Sequence, residues 1–277
     1  MAQVMLCSIS NTNSGECAED CAFCTQSAHY KSGIESFRFK DKLEVLKEAR
    51  FATSLGALGF CLVTSGKGLD DKRLEYILEC VELIKKENLP LHIIACNGIA
   101  SKEALLELKK AGVFAYNHNL ETSKEYYPNI CTTMEWEDRF ETCLNVKEVG
   151  LELCSGGIFG VGESEDDRKS YFEALKELNP KTSPINFYYP NSALPLGSEV
   201  ISKKEALEVI QRAKEALPET IFMAAGGRNL VFESMSEAIN SGFDSVVIGD
   251  YLTAKGEEVK KDLEDMKKNG INPVLNC

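Results

Sequence analysis

Short apolar runs alternate along the chain with longer segments whose apolar positions recur every three or four residues. The runs are QVMLCSIS (3–10), LGFCLVTS (58–65), LPLHIIAC (89–96), GVFAYNHNL (112–120), LELCSGGI (151–158), SPINFYYP (183–190), TIFMAAG (220–226) and FDSVVIGD (243–250). Short continuous runs bounded by turn residues suit strands buried on both faces. Each is followed by a polar loop and a predicted helix, at 41–55, 70–87, 101–110, 135–148, 166–178, 202–216, 230–240 and 256–268. In LEYILECVELIKK the apolar positions line one helical face. Ser101 and Ser202, each with a glutamate shortly after, read as helix starts. Gly112 and Gly150 follow helix ends, where a left-handed residue is expected.

Eight strands and eight helices in strict alternation, with no linker, repeat or composition break, predict an α/β fold, a TIM-type (β/α)8 barrel. It is read as one domain over residues 1–277. A doubly wound sheet is the alternative, since periodicity does not show closure. In a barrel the chemistry sits in the loops after the strands.

Composition narrows the function classes. Hydrophobic residues make up 44% and charged residues 27%, as in ordinary globular chains. The net charge is −12 and no basic block occurs, which argues against a nucleic-acid partner. No apolar stretch approaches a membrane span. MAQVMLCSIS lacks a basic start and a long apolar run, so no targeting segment is read there. Eleven cysteines, an odd number in a long chain, fit a disulfide scaffold poorly and a reducing cytoplasm well.

GECAEDCAFCTQSAH, residues 15–29, lies in the loop after the first strand and spaces Cys17, Cys21 and Cys24 as C-x3-C-x2-C. Zinc would need a fourth ligand, for which His29 is the nearest candidate. A redox dithiol would leave Cys17 superfluous. A [4Fe–4S] cluster on three thiolates leaves one iron free for a small ligand, whereas an electron carrier can be fully ligated by four cysteines. This motif, with Phe23 just before the last cysteine, resembles that of the radical S-adenosylmethionine (SAM) enzymes. The resemblance implies that the free iron chelates SAM, whose reductive cleavage gives a 5′-deoxyadenosyl radical.

Cys61, Cys96 and Cys154 fall in or at the ends of predicted strands, where cysteine is often plain core filling. Cys7, Cys80, Cys131, Cys143 and Cys277 are read as filler or as exposed. The segments GECAEDCAFCTQSA, FCLVTSG, IACNG, YNHNLETS, CSGGIFGVGESEDDR, PINFYYPNSALPL and MAAGGR together resemble the biotin synthase family, in order, over residues 6–273. That resemblance implies a second, [2Fe–2S] cluster deep in the barrel, on Cys61, Cys96, Cys154 and Arg228. It places Asn119, Glu121, Gly156 and Gly157 with Phe23 along SAM, and Asn117 and Asn186 on the ureido ring of dethiobiotin. It implies sulfur insertion at carbons 6 and 9 of dethiobiotin, a flavodoxin or ferredoxin as electron donor, and a homodimer. No catalytic side chain is implied, because SAM and the clusters carry the chemistry.

Departures from the family lie in loops. Glu121 stands where many relatives have aspartate, SALPLG follows the sixth strand, and CTQSA replaces CPQSA. Only sixteen residues precede Cys17, where many relatives carry an extension. The alternatives are a radical SAM enzyme acting on another small substrate, and a non-catalytic iron–sulfur or zinc scaffold or electron carrier.

Overall fold

A computed structural model describes residues 2–253 and 256–274; Cys277 lies outside the described residues. Ten strands are named in chain order: β1 (Ala2–Asn13), β2 (Gly59–Thr64), β3 (His92–Cys96), β4 (Ala115–Asn117), β5 (Glu152–Cys154), β6 (Gly157–Phe159), β7 (Thr182–Phe187), β8 (Ile221–Ala224), β9 (Ser245–Ile248) and β10 (Ile271–Pro273). All pairings are parallel. The order runs β1 to β5, then β7, β8 and β9, and β9 pairs back with β1. The sheet is therefore a closed barrel of eight staves, β5 and β6 being two parts of one stave, and the doubly wound alternative is excluded.

The helices are α1 (Lys42–Ser54), α2 (Asp71–Lys86), α3 (Lys102–Ala111), α4 (Trp136–Glu148), α5 (Glu165–Leu178), α6 (Lys203–Ala216), α7 (Arg228–Val231), α8 (Met235–Asn240) and α9 (Val259–Lys268). Ser202 and Glu205 form the expected reciprocal cap of α6. Ser101 accepts from Ala104 N at the start of α3. Gly112 closes α3 in the left-handed region, at φ 100°.

Alternation along the staves explains the runs. Leu6, Phe60, Leu62, Ile93 and Tyr116 are fully buried against the helical layer. Each such side chain contributes about 1.5–3 kcal/mol by burial. The intervening positions Cys7, Ile9, Cys61, Val63, Ile94 and Cys96 face inward and line the barrel cavity. Both faces are buried, so β2 reads as one continuous apolar run.

Four differences from the expected pattern have local causes. The fifth run breaks at Ser155–Gly156, where β5 gives way to β6. The helix expected at 230–240 is two helices, because Phe232 is extended and Ser234 caps afresh by accepting from Glu237 N. Strand β7 stops at Phe187, so alternation ends there: Phe187 and Tyr188 are both buried, while Tyr189 is 45% exposed. Strand β10 lies beyond the eight staves and pairs Ile271–Pro273 with Ala2–Val4, extending the sheet below the barrel.

Candidate active site

A cavity of about 520 Å³ opens at the C-terminal end of the staves. Its wall carries Cys7, Cys61, Cys96 and Cys154 from four strands, and Phe23 and Cys24 from the loop after β1.

That loop is folded by its own backbone. Cys24 N donates to Cys21 O at 3.0 Å, closing a tight turn, and Ala28 N donates to Cys17 O at 2.7 Å. Gln26 Oε1 accepts from Gly15 N and from Ser14 Oγ beneath the turn. Two ties reach outward. The Asp20 carboxylate accepts from Thr132 N at 2.8 Å, and Thr25 Oγ1 lies 2.6 Å from Thr253 Oγ1. Cys21 Sγ donates to Cys131 Sγ at 3.5 Å, a neighbour the sequence reading had set aside as filler. That shared proton keeps the Cys21 thiol up and brings Cys131 down to about 6. Burial pushes Cys24 up to about 11. His29 Nε2 is instead paired with Ala18 O at 2.9 Å, on the exposed side of the loop.

Deeper in the cavity, Cys61 and Cys96 share a hydrogen bond that pushes Cys61 up and Cys96 down. Asn117 Nδ2 donates to Cys96 Sγ at 3.1 Å, while its Oδ1 is buried without a partner among the described residues. Burial pushes Cys154 well up. Among the described residues no three His, Cys, Asp or Glu side chains are already set around one metal position. The donor set is nonetheless that of iron–sulfur sites: soft thiols on an apolar wall, which ionise when a cation compensates them.

Between the two thiol sets, the segment 119–121 lies against the break in the fifth stave. Gly156 N donates to Asn119 Oδ1 at 3.2 Å, and Ile158 N donates to Glu121 O at 2.8 Å. A Cβ on Gly156 would meet Pro184 O at 2.0 Å, and one on Gly157 would meet Glu121 O at 2.6 Å. Glycine is therefore required for this close approach. Glu121 has φ 69°. Burial pushes its carboxyl up, and Arg139 and Asn119 pull it back. Sequence reasoning missed Arg139, a buried cation on α4 whose partners are Asn119 O at 3.0 Å, Tyr127 Oη at 2.7 Å and Glu121 at 3.7 Å. A lone arginine inside a helical pattern carries no mark of such a role. Glu163 likewise holds the GVGE turn, accepting from Gly160 N and Val161 N, with Arg168 on its other side at 2.9 Å. His118 is buried, its pKa pushed well down by that burial, so it stays neutral.

Asn186 lines the cavity, with its amide engaged by backbone: Oδ1 accepts from Gly226 N at 2.9 Å and Nδ2 donates to Gly157 O at 3.1 Å. Arg228, expected at the inner cluster, lies directly behind the cavity wall. It opens α7 beyond the end of β8 and is 1% exposed, next to Gly227 and against Tyr251, both of which line the cavity. Its Nη2 donates to Asp262 at 3.0 Å and its Nε to Tyr251 Oη at 3.3 Å. A buried guanidinium takes the nearest carboxylate, and α9 supplies one. The side chain that β8 sends into the cavity is Met223.

The radical SAM superfamily pattern matches residues 14–175, and a biotin and thiamin synthesis associated domain matches residues 184–272. With the three-cysteine loop at a barrel mouth, the match makes the chain a radical SAM enzyme, a class that uses a [4Fe–4S] cluster and SAM. The biotin synthase of Campylobacter fetus is 54% identical over 274 residues, 99% of this chain and 100% of that one. The biotin synthase of Helicobacter pylori is 50% identical over 281 aligned positions, covering 100% of both chains. The chain belongs to the biotin synthase family. Among solved structures, methylornithine synthase has a TM-score of 0.81 at 18% identity, over 98% of this chain and 84% of that one. The FeFe-hydrogenase maturase from Carboxydothermus hydrogenoformans has 0.84 at 17%, over 99% and 68%. These two share the fold. Among the described residues no helix is long and apolar enough to cross a membrane.

Proposed function

We propose that the chain converts dethiobiotin to biotin, replacing one C–H bond at carbon 6 and one at carbon 9 by bonds to a single sulfur atom. The observation that carries this reading, beside family membership, is that one cavity is faced by two thiol sets, Cys24 of the outer loop and Cys61, Cys96 and Cys154 of the strands. When bound, the outer cluster and SAM supply a radical able to abstract unactivated hydrogens, and an inner [2Fe–2S] cluster supplies the sulfur.

The chain's own residues do the rest. Cys17, Cys21 and Cys24 hold the outer cluster and leave one iron open. Phe23, the Asn119–Glu121 segment and the Gly156–Gly157 break line the path of SAM, with Arg139 fixing that segment from behind. Asn117 offers a buried, unpartnered carbonyl oxygen to a urea N–H, an arrangement that discriminates strongly because the alternative leaves a buried acceptor unpaired. Asn186 positions the glycine turn after β8. The apolar wall of Ile9, Val63, Ile94 and Val247 excludes water from the radical. A flavodoxin- or ferredoxin-type donor, a homodimeric assembly and a cytoplasmic setting belong to the same proposal. The ten described cysteines are all free thiols, which suits a reducing compartment.

The test is an anaerobic assay of chain reconstituted with iron and sulfide, given reductant, SAM and dethiobiotin. Biotin should form together with dethiobiotin-dependent cleavage of SAM to 5′-deoxyadenosine. Cleavage of SAM with both clusters present and no biotin would sink the proposal.

A further inference from the structure

Cys131 is a thiol beside the outer set that the proposed chemistry does not use. It lies in the loop after β4, 110 positions from Cys21, yet the two sulfurs are 3.5 Å apart. Hydrogen bonds hold the two segments together. Ala22 N donates to Ile130 O at 2.8 Å, and Asp20 N donates to Thr133 Oγ1 at 3.0 Å. The Asp20 carboxylate accepts in return from Thr132 N at 2.8 Å and from Thr133 N at 3.2 Å. Residues 20–22 and 130–133 are thus laced together on both sides of the thiol pair. The contact is particular: Cys21 Sγ is hydrogen-bonded to Cys131, whereas the turn to Cys24 is closed by backbone alone. Cys21 is 7% exposed and Cys131 3%, so only a small oxidant reaches them.

Resting on the reading of Cys21 as a ligand of the outer cluster, we propose that Cys21 and Cys131 form a reversible disulfide in the chain that lacks this cluster, closing the outer site to iron until the bond is reduced. The oxidant is hydrogen peroxide. It takes two electrons from one thiol of the pair, giving a sulfenic acid and one water. The second thiol attacks that sulfur, the S–S bond forms, and a second water leaves. A disulfide holds its sulfurs about 2 Å apart, so two sulfurs already in contact have a short gap to close. A dithiol reverses the reaction by exchange, and both thiols of the pair return. Cys21 in that bond has no thiolate to offer iron. Without a neighbouring thiol, its sulfenic acid would go on to sulfinic acid, which thiols do not recover. Cys131 thereby keeps a cluster ligand recoverable while the cluster is absent.

The first measurement needs no mutation. The full chain, freed of iron by chelation, is treated with hydrogen peroxide and mapped by peptide mass spectrometry. Cys21 joined to Cys131 should be the main cross-link, with both thiols returned by dithiothreitol. Cys131 still open to alkylation, with Cys21 joined to Cys17 or Cys24 or carried to sulfinic acid, would overturn the proposal. Cys131→Ser gives a second reading. Before oxidation it should take up the outer cluster's iron as the wild type does. After peroxide and then dithiothreitol, the wild type should rebuild that cluster in full and the variant only in small part. Equal recovery would overturn the proposal while leaving the role of Cys21 standing. In the loaded enzyme the cross-link should be absent until the outer cluster's absorbance is lost. A cross-link formed with that cluster intact would show that Cys21 does not hold it, and would overturn the reading on which the proposal rests.

Discussion

The outer and inner thiol sets are built in opposite ways. Cys17, Cys21 and Cys24 come from one loop that folds on its own hydrogen bonds, Cys24 N to Cys21 O among them. Cys61, Cys96 and Cys154 come from three strands and meet only when the barrel has closed. The first set is a local motif that many scaffolds can display. The second is a property of this barrel, because each thiol's height depends on strand register. Local sets suit a site that must admit an exchangeable ligand such as SAM; dispersed sets suit one that must be held rigid beside a substrate.

The largest expected effect breaks the outer set. Cys21→Ala should abolish SAM cleavage and biotin formation together, with loss of the outer cluster's iron and retention of the inner cluster's spectrum. Loss of both spectra in a folded chain would show that the two sets are not independent.

Cys154→Ala sharpens the comparison from the other side. Biotin formation should vanish while the outer cluster still binds SAM, seen as a change in its EPR signal on adding SAM. If the outer cluster is lost instead, the division of cysteines between the sites is wrong.

Arg228→Met separates structure from ligation. It leaves Asp262, a carboxylate that burial already pushes up, without its cation. Breaking a buried pair in this way costs about 3–5 kcal/mol. The apo chain should therefore melt roughly 10 °C lower. Loss of inner iron in a folded variant would assign Arg228 to the inner cluster, and full retention would assign it to Asp262 alone. A second change, Asp262→Asn, should recover part of the lost melting temperature.

A smaller effect is expected at the GVGE turn that follows the proposed SAM-lining glycines. Glu163→Gln keeps the shape but weakens two backbone hydrogen bonds and the contact to Arg168. Loss of charge-assisted bonds of this kind costs about 1–3 kcal/mol. The apparent affinity for SAM should fall by roughly ten-fold, with little change in cluster content. An unchanged SAM affinity would detach this turn from the site.

The same contrast governs how far the sequence could be read. The alternation of runs and helices displayed the eight staves, since burial on both faces leaves an apolar run whatever the neighbours are. The outer triad was legible because its geometry is contained in its spacing. The thiols of the inner wall were legible only in part. Cys61, Cys96 and Cys154 came through family resemblance. Cys7 sat in a run with nothing to distinguish it from filler, although its two-residue offset from Ile9 already put both on one face. Arg228 came through the same resemblance. Its commitment to Asp262, thirty-four positions later, exists only in the folded chain. Arg139 was silent for the same reason.

The pairing of β1 with both β9 and β10 has a consequence for the order of events in the cell. The stave that carries Cys7 is the first made, and its neighbour across the seam is joined to it by Ser245 Oγ donating to Met5 O, 240 positions away. Contacts of such separation form late. The inner wall is thus finished only after nearly the whole chain has been made, so the proposed inner cluster would be assembled in a completed protein, whereas the outer loop has its thiols in hand early in synthesis.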